Sequence, residues 1–389
     1  MPSHQPVTFL PLRIALVCPY SLSRPGGVQG QVIGLARALE ARGDKVTVFA
    51  PVDDGAPVPA DLDLVSTGSS VSLPANGSIA PVTISPRDIL RTRKILTSGA
   101  FDVVHVHEPF TPGLPYGLLL GRGVPPVVAT FHRSGGSVFY TVLRPLTRRL
   151  SRRFAVQCVV SDAALATASR AVRDECVVTF NGVETDRFRS VEPWPSDRPT
   201  VLFLGRHEER KGLITLLEAA ARMEPRPRLW IAGDGPLTAA LRRHYPASAD
   251  IEWLGVLSEE DKLRRLLGAD ILCAPSLGGE SFGMVLLEAM AARTVVVASD
   301  IAGYRDAAGG HAVLVPPADA AVLATTLAVV LAGGSAVIAS PSGQGPDGPA
   351  AGRERWLAAA ARRAGDFDMD RLAEAYEGWY RTAMVRRPG

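Results

Sequence analysis

Short apolar runs alternate with helical periodicity along almost the whole chain, in two successive series. The first series holds "RIALVC" (13–18), "KVTVFA" (45–50), "FDVVHVH" (101–107), "PVVATFH" (126–132) and "AVQCVVS" (155–161). Each run is apolar on both faces, as a parallel strand buried between helix layers must be. Between the first two runs, Val28, Val32, Leu35 and Leu39 form the stripe of an amphipathic helix that ends at Gly43. After the proline-containing segment 191–200 a second series begins with "VLFLG" (201–205). It continues through "LWIAG", "IEWLG", "ADILCAP", "TVVVAS" and "AVLV", with "LITLLEAAARM" and "MVLLEAMAA" as helices between them. A chain of 389 residues is also too long for one ordinary core. The pattern predicts an α/β protein of two doubly wound domains facing a central cleft, with ligands beyond the carboxyl ends of the strands.

Composition removes several function classes. Hydrophobic residues make up 47% of the chain, which excludes global disorder. The net charge is only +3, so no nucleic-acid partner is expected. Cys18, Cys158, Cys176 and Cys273 are scattered, three of them in strand-like runs. They read as buried thiols of a reducing compartment, neither a disulfide framework nor a metal site. The first residues lack a basic, then apolar, leader pattern, and no run of about 18 apolar residues occurs. The expected location is the cytoplasm, with contact at a membrane surface allowed and a span excluded.

Every chemistry-bearing motif follows a strand. "PGGVQG" (25–30) opens the first helix, and glycines there let backbone N–H groups approach an anion or a sugar. The same glycines also suit a plain tight turn. In "HVHEP" (105–109), His105 and His107 are read as facing opposite sides of their strand, unable to share a metal. "TFHRS" (130–134) sets His132 at a strand end, as a structural hydrogen-bonding residue or a catalytic one. In "GRHEERKG" (205–212), Arg206 and Lys211 either converge on a phosphate or stay as solvated surface cations. In "SLGGESFGMVLLEAM", Glu280 precedes a helix start near Phe282 and Gly283, and Glu288 lies about two turns further on, on roughly the same face. A helix start between two acids suits a diphosphate whose sugar and ribose lie at either end.

Taken together, "ESFGMVLLE", "GRHEERKG", "FHRS" and "PGGVQ" resemble the retaining GT-B glycosyltransferases of family four. "VCPYSLSRPGGVQ", "FDVVHVHEP" and "LGGESFGMVLLEAMAA" are most similar to the branch of actinobacterial phosphatidylinositol mannosyltransferases. The resemblance implies the GT-B fold: two Rossmann-like domains, with the C-terminal helix crossing back to the first. The implied division is 1–180, completed by 366–389, for acceptor binding, and 181–365 for the nucleotide sugar. It further implies that Gly27 lies near the donor phosphates and that Tyr20 and Gln29 lie near the acceptor. His132 contacts the transferred sugar, and Arg206 and Lys211 hold the diphosphate. Glu280 meets sugar hydroxyls, Phe282, Gly283, Met284 and Val285 offer backbone N–H groups, and Glu288 binds ribose. Lys262 stands on the nucleobase side. The chain departs from that branch in its shorter Arg206–Lys211 spacing, in lacking an arginine near "GSIAPVTI", and in the Gly/Pro-rich segment 332–353, read as a flexible loop.

The implied reaction moves mannose from GDP-mannose to phosphatidylinositol or a related phospholipid or glycolipid acceptor, with no cofactor and no catalytic metal. Two alternatives stay open: a UDP-linked donor with a soluble acceptor, and a two-domain sugar-binding protein without catalysis. A lipid acceptor calls for docking on an anionic membrane, peripheral on the inner face. "SPRDILRTRKIL" (85–96) starts a helix at Ser85 and Pro86 and puts Arg87, Arg91 and Lys94 on one face. "VLRPLTRRLSRRF" (142–154) is a second candidate, with Leu143, Leu146, Leu150 and Phe154 among five arginines.

Overall fold

Strands β1 (Arg13–Val17), β2 (Lys45–Ala50), β3 (Leu64–Ser66), β6 (Val103–His107), β7 (Val127–Phe131), β8 (Phe154–Val159) and β9 (Val177–Val178) form one parallel sheet in the order β3-β2-β1-β6-β7-β8-β9. A separate antiparallel hairpin joins β4 (Val71–Ala75) and β5 (Ser78–Val82). The second series gives a parallel sheet ordered β12-β11-β10-β13-β14-β15. Its strands are β10 (Thr200–Leu204), β11 (Arg228–Ala232), β12 (Ile251–Gly255), β13 (Ile271–Ala274), β14 (Val295–Ser299) and β15 (Val313–Val315). These coordinates are a computed structural model, which describes residues 10–24, 26–56, 58–75, 78–133, 143–172, 175–280, 282–333 and 349–386.

The chain divides into two compact units, Met1–Gly182 with Met369–Gly389, and Val183–Asp368. Each sheet reverses its strand order once, between β1 and β6 in the first unit and between β10 and β13 in the second. At such a reversal the two flanking loops diverge to opposite faces and leave a crevice at the carboxyl ends of the strands. The loops after β1 and β6, and those after β10 and β13, therefore border these crevices.

The strands are buried on both faces because helices cover both. In the first unit, helix Gly27–Ala41 presents Val32, Leu35 and Leu39 to Ile14, Leu16, Val46 and Val48. The C-terminal helix Met369–Val385 packs beside it, burying Leu372, Tyr376 and Tyr380 in the same core. The opposite face of the sheet is closed by Leu114, Leu118, Leu150 and Phe154, among others. In the second unit, Leu213, Leu216 and Leu217 of helix Leu213–Ala221 pack with Leu323 and Leu327 of helix Ala320–Leu331 over Val201, Ile231 and Val297. Cys18, Cys158 and Cys273 are buried thiols, and Cys176 is half-buried.

The apolar side of 143–154 does not face outward: Leu150 and Phe154 belong to the core and Leu146 packs against it. An amphipathic stripe with arginines around it is satisfied by a protein interior as well as by lipid. The segment 332–353 is helical from Pro349, where helix Pro349–Gly365 begins, while 334–348 lies outside the described residues.

Candidate functional site

In the second unit the β10 loop ends in a short 3-10 turn, Glu209–Lys211, and closes at Gly212. Gly212 has φ +66, and a Cβ there would sit 1.9 Å from the carbonyl oxygen of Pro275. Only glycine permits that backbone-to-backbone approach. It brings the β10 loop against the β13 loop, and Leu277 N–H donates to Arg210 O at 2.7 Å. The β13 loop then enters helix Met284–Ala291 through Gly283, whose φ is +79. The first backbone N–H groups of a helix have no acceptor inside it, and here they belong to Gly283, Met284 and Val285. Phe282 does not face solvent; its ring packs edge-on against Phe367 at 5.2 Å.

Around that helix start the charged side chains form a chain of ion pairs. Arg206 Nε lies 2.8 Å from Glu208 Oε1, and Arg210 Nε lies 3.0 Å from Glu208 Oε2. Arg210 also reaches Glu280 Oε1 at 2.8 Å, and Lys211 Nζ meets the same oxygen at 2.7 Å. Hydrogen bonds from Thr238 and from the Gly235 N–H hold the Asp234 carboxyl below its ordinary pKa, with smaller contributions from His207 and Arg206. Glu208 and Arg210 were not singled out from the sequence. Their signal was present as alternating charges in "RHEER", which at a strand end is worth reading as a network.

Among the described residues, Glu288 and Glu280 share no cation. Glu288 Oε1 is held at 3.0 Å by Lys262 Nζ, which also pairs with Glu259 at 3.0 Å. Burial works against charge on Lys262, yet Glu288 and Glu259 outweigh it and hold the ammonium above its ordinary pKa. Lys262 and Glu288 line a small pocket with Val183, Arg187, Phe188 and Leu263.

In the first unit the strand-end residues are joined differently. Tyr20 Oη lies 3.4 Å from Thr111 Oγ1, linking the loops after β1 and β6. Burial pushes the Tyr20 hydroxyl well above its ordinary pKa, and Glu108 adds to the shift. Gln29 is buried, and its amide donates to Ser21 O and Arg24 O, so it holds the loop before the helix together. Gly27, the first residue of that helix, has open space where a side chain would start. His105 and His107 face the same side, contrary to the reading from sequence: their rings stack at 4.2 Å. Side chains alternate faces with a period of two, so residues two apart in a strand share a face.

His107 Nδ1 lies 2.8 Å from His132 Nε2, and His132 Nδ1 lies 3.1 Å from Asn181 Oδ1. Burial pulls the His132 pKa down to about 4, opposed by the Asn181 hydrogen bond. Glu108 accepts from the backbone N–H groups of His132 and Arg133 at 2.5 and 2.7 Å. Ser134, the last residue of "FHRS", is outside the described residues. Behind the pair, His105 bonds Tyr380 Oη at 2.8 Å and Thr130 Oγ1 at 2.7 Å, and Thr130 bonds Tyr376 Oη at 2.8 Å.

Helix Pro86–Leu96 starts as read, with Ser85 Oγ accepting from Asp88 N–H and Pro86 in the first turn. Arg87, Arg91 and Lys94 are exposed, as are Ile84 at 49% and Leu90 at 62%. Arg91 also donates to Ser66 O at 2.5 Å.

Residues 25–187 match the model described as Glycosyltransferase Family 4, and residues 198–333 match the one described as Glycosyl transferases group 1. The phosphatidyl-myo-inositol mannosyltransferase of Mycobacterium tuberculosis is 40% identical over 82% of this chain and 88% of its own length. The chain belongs to this family of glycosyltransferases. A second member, from Propionibacterium freudenreichii, is 35% identical over 76% of this chain and 79% of its own. The fold has a solved counterpart in the sucrose-phosphate synthase of Thermosynechococcus elongatus. That structure covers 95% of this chain and 98% of its own, with a TM-score of 0.69 at 21% identity. The family is one of hexosyltransferases, and its fold is GT-B: two Rossmann-like units, each with the reversed strand order described above.

Proposed function

We propose that the protein is a retaining mannosyltransferase that carries mannose from GDP-mannose to phosphatidyl-myo-inositol or a related glycolipid at an anionic membrane surface. The observation that carries this reading is the chain of ion pairs from Arg206 through Glu208 and Arg210 to Glu280 and Lys211, set against the start of helix Met284–Ala291. Three cations are held in place there before any substrate arrives, beside backbone N–H groups that favour an anion. Such preorganisation is what stabilises negative charge growing on a leaving diphosphate. The anomeric carbon–diphosphate bond breaks, the acceptor oxygen attacks from the same face, and its proton passes to the departing diphosphate. Glu280 is assigned to sugar hydroxyls, and Glu288 with Lys262 to the ribose and base side. His132 is assigned to the transferred sugar, and Tyr20 to the acceptor. No cofactor is required.

The acceptor half of the reading is supported by the two mannosyltransferase relatives and by helix Pro86–Leu96. An exposed basic stripe beside Ile84 and Leu90 suits the boundary of an anionic bilayer, at about 1 kcal/mol per basic residue. Among the described residues no helix is long and apolar enough to cross a membrane. The deciding experiment is transfer of labelled mannose to phosphatidylinositol vesicles, with a thermal-shift comparison of GDP-mannose, UDP-glucose and UDP-N-acetylglucosamine. A donor at 100 times its Kd adds about 2.7 kcal/mol of apparent stability. Selective stabilisation by a UDP sugar, or transfer only to a soluble acceptor, overturns the proposal.

A further inference from the structure

His132 enters the reading above as a contact of the transferred sugar, and that assignment says nothing about which ring nitrogen bears its proton. The surroundings of the ring do. Asn181 presents Oδ1 to His132 Nδ1 at 3.1 Å, and a carbonyl oxygen can only accept. The proton therefore sits on Nδ1, and Nε2 carries a lone pair. His107 Nδ1, 2.8 Å from that nitrogen, must donate to it. His107 Nε2 is then a bare lone pair, and it is buried without a partner among the described residues. A buried unpaired nitrogen costs about 1–3 kcal/mol, which marks the arrangement as kept for something other than stability.

Asn181 is itself held. Its neighbour Gly182 is gripped by Gln31, whose amide donates to Gly182 O at 2.8 Å and accepts from Gly182 N–H at 2.7 Å. Both Asn181 and Gln31 are buried. The backbone of His132 is fixed by Glu108. The ring of His107 stacks on His132 at 5.1 Å and on His105 at 4.2 Å, and His105 is tied to Tyr380 and Thr130. Four segments distant in sequence from His132, at Gln31, His107, Asn181 and Tyr380, thus support one imidazole.

We propose that Asn181 and His107 are positioning residues for His132: Asn181 keeps the proton on Nδ1, and His107 holds the ring so that Nε2 is the acceptor offered to a sugar hydroxyl. A hydroxyl of the bound sugar donates to Nε2 by taking the place of the His107 N–H. This rests on the assignment of His132 to the sugar. The titratable and charged groups around the ring are His107, His105 and Glu108 from β6 and its loop, Arg133 beside it, Tyr20 from the β1 loop, and Tyr376 and Tyr380 of the C-terminal helix behind His105.

The test is imidazole nitrogen NMR on the ¹⁵N-labelled full chain, with GDP-mannose-dependent turnover followed over the same pH range. Wild type should show His132 as the Nδ1–H tautomer. Asn181→Asp keeps an acceptor and adds a charge, so the His132 midpoint should rise by roughly 1–3 pH units. The acid limb of kcat should rise by the same amount, with turnover recovering above it. Asn181→Leu should lose the single tautomer and stay about 10²-fold slow at every pH, the low end of what one positioned proton-transfer group contributes. His107→Phe keeps a stacked ring and should move the His132 Nε2 resonance toward that of a free lone pair. An Nε2–H tautomer in wild type overturns the proposal without any variant, and so does an unmoved midpoint in a folded Asn181→Asp protein. A midpoint that moves while the rate profile stays put leaves the hydrogen bonds standing and removes His132 from the sugar.

Discussion

Lys211 Nζ and Glu280 Oε1 stand 2.7 Å apart, joined across the loops that follow β10 and β13. Both side chains are mostly shielded from water, at 19% and 13% exposure. The pair exists because Gly212 lets one loop press its backbone onto the other. Arg210 shares the same carboxylate oxygen, so Glu280 orients two cations at the start of helix Met284–Ala291.

Removing either end of this pair should separate binding from chemistry. Lys211→Ala and Arg206→Ala should each lower turnover by roughly 10²-fold or more, since each stabilises charge that develops on the leaving group. Glu280→Gln should lose transfer while keeping nucleotide affinity within a few-fold, because the diphosphate retains its other donors. Calorimetry with GDP alongside turnover checks this. Near-normal rates in both cation variants would remove the phosphate assignment.

Arg210 was invisible as a site residue until its two carboxylate partners were seen. Arg210→Ala frees both Glu208 and Glu280 from one cation. The expected result is a turnover loss approaching that of Lys211→Ala, with folding intact by circular dichroism. Arg210→Lys should recover only part of it, since lysine cannot bridge two carboxylates with a planar fork. Full activity in Arg210→Ala would make it a surface ion pair and nothing more.

Glu288→Ala leaves Lys262 with Glu259 alone and opens the pocket beside Val183 and Phe188. Nucleotide affinity should drop about tenfold, the cost of one good hydrogen bond to a charged group, while kcat at saturating donor changes little. A loss confined to kcat would exchange the roles of the two glutamates.

The buried histidines make a pH prediction for stability. Burial lowers the pKa of His105, His107 and His132, the last to about 4. Above about pH 6.5 these imidazoles are neutral folded and unfolded alike, so they carry no proton-linked cost. Below it the unfolded chain takes up protons that the folded chain refuses, and stability falls until the folded values are reached. Tm should therefore decline between about pH 6.5 and pH 4, and His105→Gln with His107→Gln should flatten that slope. An unchanged slope in a folded double variant would exclude these groups as its cause.

Helix Pro86–Leu96 is the remaining candidate for membrane contact after the leucines of 143–154 proved to be core. Replacing Arg87, Arg91 and Lys94 by Ser should weaken co-sedimentation with anionic vesicles, most at low salt, where surface charges are least screened. Activity on lipid acceptor should fall with it, and donor affinity should not move. Equal partitioning onto neutral and anionic vesicles, or none, would count against docking through this face.

What the sequence determined by itself was local. Apolar runs such as "RIALV" and "VVHVH" had to be strands, and the stripe Val32, Leu35 and Leu39 had to be a helix, because burial of near neighbours sets both periods. Motifs at strand ends were legible for the same reason, since each strand hands its last residues to a loop. The tertiary structure decided pairing and environment. The motif around Glu280 named no partner for it, and the loop crossing at Gly212 gave it Arg210 and Lys211. Leu150 and Phe154 could have covered lipid, but the sheet offered a dry face nearer at hand. His105 found Tyr380 from the far end of the chain, and His132 found Asn181, because sheet order and helix packing choose long-range partners. Local periodicity carries no information about those choices: it records which face of an element is apolar, and many folds could bury the same face.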